Sequence, residues 1–114
     1  MTALDSDDSL VFRINDYRGK VVVFTKKKLL EKQSDHPELH KAAFIACVKR
    51  ALCEPDEVWQ DYDDKRKRSY YKKYSAVSFA KAVVWIKSSP CQVVTAFEID
   101  SVKESKYPGL KRIV

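Results

Sequence analysis

Two histidines in 114 residues, His36 and His40, stand together in the string SDHPELH. Histidine is the side chain best placed for proton transfer near neutral pH, so this pair is the first candidate for acid–base chemistry, although a histidine beside a helix start is also a common surface residue. A second group joins Tyr71 and Lys73 of SYYKKYS to Thr95 of QVVTAFE. A phenol, an ammonium and a hydroxyl on one surface would hold and polarise a phosphodiester. Cleaving RNA by attack of its own 2′-hydroxyl asks little more: donors for the non-bridging oxygens, a base for the nucleophile and an acid for the leaving oxygen. The third group is basic. Lys65, Arg66, Lys67 and Arg68 run into Tyr70, Tyr71, Lys72, Lys73 and Tyr74. Cations interleaved with rings suit a polyanion whose bases stack, while a lysine-rich loop is equally the composition of a solvated turn.

The elements that must position these groups belong to one globular domain. Hydrophobic residues are 45% and charged residues 33% of the chain, a balance that excludes a disordered polyelectrolyte. Residues 1–9 read as a flexible acidic tail and residues 10–114 as the domain. The net charge of +6 understates the local positive density, because the acids gather in the tail and around 54–64. Those acids show no spacing that gathers carboxylates on one point, and Cys47, Cys53 and Cys91 include no CxxC. Neither a metal, another cofactor nor a disulfide frame is expected. No apolar run approaches the roughly 20 residues that cross a bilayer, and the acidic start is unlike a secretory leader, so a cytoplasmic protein without membrane contact is expected.

The expected fold class is α+β, a four-strand antiparallel meander plus an amino-terminal hairpin, with one or two helices packed on one face. LVFRIND and VVVFT flank a turn at Gly19, a position for positive φ. KKKLLEKQS suggests a short helix. Asp35 and Glu38 have capping-box spacing before a helix over 37–52 whose apolar side is Leu39, Ala43, Ile45, Cys47, Val48 and Leu52, ending at Pro55. EVWQDY, SYYKKYS, AKAVVWIK and QVVTAFE then read as the meander. Turns centred on 66–67, 77–78 and 89–90 would pair Tyr62 with Tyr71, Tyr71 with Val84, and Val84 with Thr95. That register puts Tyr71, Lys73 and Thr95 on one face, and Lys81 and Trp85 on the other.

The strings SDHPELH, ALCEPDEVWQD, YYKKYS, AVVWIK and VVTAFEID, in this order, resemble small nuclease domains of the barnase, EndoU, colicin and RelE group, in particular its phage-associated members, over about residues 20–107. The resemblance implies helices on one side of a curved antiparallel sheet, and metal-independent endoribonuclease activity leaving a cyclic phosphate. It implies His36 as general base or acid and Thr95 as a ligand of the scissile phosphate. The register, more than the resemblance, makes Tyr71 or Lys73 the remaining donor, and the basic run makes Lys65, Arg66, Lys67, Arg68 and Lys72 the residues expected to bind RNA. Lys41, or the later Arg50, stands where the resemblance leads one to expect an arginine, and Glu98 where many relatives carry a small or polar residue. An inactive RNA- or protein-binding module of the same fold is therefore the alternative. An acidic protein inhibitor, an antitoxin or immunity protein covering the basic face, is the expected protein partner.

Overall fold

The computed structural model describes residues 9–61, 64–106 and 111–114. The tail expected at 1–9, apart from Ser9, lies outside them, as does Tyr62. Strands β1 (Leu10–Asn15) and β2 (Val21–Thr25) form the expected hairpin, and Gly19 takes φ 81° at its turn. Thr25 ends β2 and caps the next helix at once: its hydroxyl accepts from the Lys28 amide at 3.1 Å, starting α1 (Lys26–Gln33). Pro37–His40 follow as a 3-10 turn, then α2 (Ala42–Cys53). The meander consists of β3 (Glu57–Gln60), β4 (Lys67–Ser75), β5 (Ser78–Trp85) and β6 (Cys91–Ile99), followed by a second 3-10 turn at Lys103–Lys106.

The strands form one sheet in the order β1-β2-β6-β5-β4-β3, antiparallel except where β2 lies parallel to β6. That parallel contact joins only Val22 to Cys91 and Val23 to Gln92, so beyond Gln92 the outer edge of β6 is left to α1 and the Pro37–His40 turn. The fold class is α+β as expected. No described helix is long and apolar enough to cross a membrane.

Helix α2 covers one face. Its buried residues, Phe44, Cys47, Val48, Ala51 and Leu52, fall at the i, i+3, i+4 spacing of a single stripe. They pack on Val58, Tyr70, Ala80, Ala82, Val84, Val93 and Ala96, where three alanines let the helix sit close to the sheet. The helix expected over 37–52 is thus two pieces. Lys41 has extended backbone (φ −92°, ψ 123°), which breaks the path and resets the phase. Ala43 is exposed as a result, while Phe44 and Ala51 are buried. The capping box is absent as well: no side chain caps the turn, and Glu38 is used elsewhere.

The meander's register also differs from expectation. Ser75 faces Ser78 across a turn at 76–77, so Tyr71 pairs with Lys81 rather than Val84. Tyr71 pairs with Glu57 on its other side. Thr95 pairs with Val83 and Val93 with Val84, leaving Val94 as a bulge. The bulge lets Val93 and Ala96 both point to the α2 core while Thr95 and Phe97 point the other way. Thr95 is consequently on the face that α2 does not cover.

Candidate functional site

The uncovered face is crossed by one row of partners, Glu57, Tyr71, Lys81 and Phe97. Trp59, Tyr71 and Val102 form a small second core there, joined by Phe79 and Ile99. The turn at Lys103–Lys106 brings Glu104 over this row, and its carboxylate is buried. The Tyr71 hydroxyl donates to Glu104, 2.7 Å from either oxygen, and Lys81 Nζ lies 3.4 Å from Oε1. The ammonium sits between two rings, 5.5 Å from the centroid of Tyr71 and 5.7 Å from that of Phe97. Burial, and then the bond to Glu104, pushes the Tyr71 phenol far above its usual pKa, so it remains a protonated donor.

His36 reaches this face from outside the sheet. Its backbone amide donates to the Lys32 carbonyl at the end of α1, and its carbonyl accepts from Leu39. Held at both ends, the residue lays its imidazole on Phe97, centroids 4.9 Å apart and planes 18° from parallel. The side chain is 32% exposed, and Nδ1 is 4.0 Å from Glu38 Oε2. That same oxygen accepts from the Glu98 amide at 2.7 Å on the free edge of β6, which ties the Pro37–His40 turn to the strand. Thr95, half-buried, is the next residue on the same face of β6, about 7 Å along the strand from Phe97. A phosphate could bridge that span between imidazole and hydroxyl.

The structure therefore brings His36 near Thr95, with Tyr71 two strands away on the same face, and the Tyr71 ring is wholly buried with its hydroxyl committed to Glu104. It leaves Lys73 apart: that side chain lies over Phe79 at 4.9 Å, about 14 Å along the strands and about 10 Å across them from Thr95. Alternation divides the basic run. Lys67 shares the face of Trp85, while Arg68 and Lys72 share the face of Tyr70. Lys72 is used at the end of α2, donating to the Glu54 carbonyl at 2.8 Å and pairing with Asp56 at 3.2 Å. Lys65 and Arg66 are exposed in the turn before β4, where Asp64 grips Arg66 through two 2.9 Å bonds. His40, the last residue of the Pro37–His40 turn, is exposed. Glu98 alternates away from the site and accepts from Ser78 at 2.6 Å, so its charge does not face Thr95.

Lys81, Glu104, Phe97 and Glu38 were not visible as site residues in the sequence. Lys81 carried one signal, a lone cation inside the apolar string AKAVVW. Glu104 carried none, because nothing local says that a residue beyond the last strand folds back over the sheet.

No curated protein and no solved structure matches the chain. A family model does, over residues 3–112, nearly the whole length: phage-Barnase-EndoU-ColicinE5/D-RelE like nuclease2. With an imidazole, an ammonium and a hydroxyl gathered on the open face of its sheet, the chain belongs to this phage nuclease-like family.

Proposed function

We propose that the protein is an endoribonuclease that cleaves RNA by attack of the 2′-hydroxyl, with His36, Lys81 and Thr95 as its catalytic residues. The observation that carries this reading is the His36 imidazole stacked on Phe97, one step along β6 from Thr95, with the Lys81 ammonium 5.7 Å from the centroid of the same Phe97 ring. The stacked ring is oriented by Phe97 and Glu38 and keeps an edge in solvent, the arrangement a proton-transfer group requires. His36 takes the proton from the 2′-hydroxyl as that oxygen bonds to phosphorus, and returns it to the 5′-oxygen as the P–O5′ bond breaks. A 2′,3′-cyclic phosphate and a free 5′-hydroxyl result. Lys81 and Thr95 meet the charge that grows on the non-bridging oxygens, where fixed donors act most strongly. Tyr71 serves as a positioning residue through Glu104. An acidic protein laid over this face is the inhibitor we expect, since Lys65, Arg66 and Lys67 rim it.

The test is incubation with RNA in the presence of a chelator, with the product ends identified. Wild type should leave cyclic phosphates, and His36→Ala should lose about 100-fold or more in rate while its thermal midpoint stays close to wild type. Intact RNA at micromolar protein would instead assign a binding module of the same fold.

A further inference from the structure

Trp85 closes β5 on the same face as Thr95 and Phe97, and its side chain is half-exposed. Beside it lies a cavity of about 200 Å³ lined by Lys28, Trp85, Ser88, Gln92, Val93 and Val94. That volume is below the roughly 300 Å³ at which pockets for drug-sized ligands begin, and it suits a flat heterocycle better than a whole nucleotide. Gln92 is the cross-strand partner of Trp85 and is exposed, so a carboxamide able both to donate and to accept stands at the rim. Two cations lie over the indole, the Arg66 guanidinium 4.6 Å and Lys67 Nζ 6.0 Å from the ring centroid. Asp64 fixes Arg66, whose hydrogen bonds in turn hold the Asp64 carboxyl down at about 2. Val94, the bulge residue in the wall of the cavity, immediately precedes Thr95. The cavity therefore adjoins the stretch of β6 that carries Thr95.

We propose that this cavity is a nucleobase subsite for single-stranded RNA, in which an unpaired base stacks on Trp85 and presents its edge to Gln92 while Arg66 and Lys67 meet the adjoining phosphate. The subsite names the substrate class of the nuclease reading and rests on it. Stacking on an aromatic ring requires an exposed base face, which a paired strand does not offer. Ring, amide and cations together favour a nucleic acid over an acidic peptide.

The test uses a 2′-O-methyl RNA oligomer, which the 2′-hydroxyl reaction cannot cut, followed by tryptophan emission and by anisotropy of a labelled strand. Trp59, the other tryptophan, is 9% exposed, so Trp85 carries the emission change. Binding should quench emission, and Trp85→Ala should weaken affinity about 5- to 150-fold. Abasic strands should lose a similar factor with wild type and almost nothing with the variant. Gln92→Ala, at an exposed position, should alter the preference among homopolymers; it and the abasic strands decide the matter if Trp85→Ala does not fold. Equal affinity of wild type for abasic and complete strands overturns the subsite. If wild type also cuts ordinary RNA, only the subsite falls. Base-dependent quenching by a protein that cuts nothing keeps the subsite and overturns the nuclease reading.

Discussion

Tyr71 lies beside the candidate site but is not open to it. Its type and its strand suggest a phosphate donor, yet its ring is wholly buried and its hydroxyl serves Glu104. Glu104 is a carboxylate taken out of water, and two donors, the Tyr71 hydroxyl and the Lys81 ammonium, reach it there. Tyr71→Phe keeps the packing and removes one donor, which should destabilise the fold by about 1–3 kcal/mol. Pairing that change with Glu104→Gln should recover part of the loss, since the buried charge is gone. Urea unfolding of the two variants checks this, with RNA cleavage measured beside it. A Tyr71→Phe protein that is as stable as wild type but cuts nothing would place the phenol at the phosphate after all.

At the scale of the element, legibility in the sequence depended on what sets register. The strands themselves were readable from their β-branched and aromatic runs, but the turns between them carry no Asn-Gly signal. Tyr71 pairs three residues from the expected partner, Lys81 in place of Val84, and Thr95 one residue away, Val83 in place of Val84. Each slip is by an odd number and reverses the face of the next strand. The two cancel, so Tyr71 and Thr95 share a face as expected, while β5 between them is inverted and Lys81 and Trp85 were assigned to the wrong side. The Val94 bulge, which turns a two-residue offset at Trp85 and Gln92 into the one-residue slip at Thr95, has no local mark, because it serves the packing of Val93 and Ala96 on a helix distant in sequence. The Pro37–His40 turn was obscured for a similar reason. Its Glu38 looks like a capping residue but acts across the molecule on the Glu98 amide. Glu38→Ala leaves that edge amide to water and frees the turn that carries His36. Cleavage should fall by up to about 100-fold, and hydrogen exchange at the Glu98 amide should rise; unchanged exchange would show that the turn is held by other contacts.

Across the whole molecule, the two faces of the sheet differ. Among the described residues, one face is given to α2, and the other carries a smaller buried cluster and the candidate site. Composition and periodicity made that α+β architecture readable, whereas the fastening of the amino-terminal hairpin to the meander was not, because it runs through Asp16, which the sequence shows only as the last residue of the strand LVFRIND. With only two pairs between β2 and β6, Asp16 is a principal tie. Its buried carboxylate accepts from the Arg18 and Lys20 amides at 2.8 and 3.0 Å, from Arg18 Nε at 2.9 Å and, across the sheet, from the Tyr70 hydroxyl at 3.1 Å. Burial alone would raise its pKa, but the bonds and charge from Arg18 and Lys20 outweigh burial and hold it below the ordinary 3.8. A carboxyl lowered on folding stabilises the native state fully above its unfolded pKa, and that share is lost as pH falls through about 4 toward the folded value. Asp16→Asn, which keeps the shape and removes the charge, should therefore be less stable than wild type at pH 7 by about 2 kcal/mol, and the gap should narrow steadily from about pH 5 to pH 3. Denaturant melts of both proteins across that range measure it. A gap that stays constant with pH would mean that the hairpin is held by the shape of the Asp16 turn, with its charge playing no part.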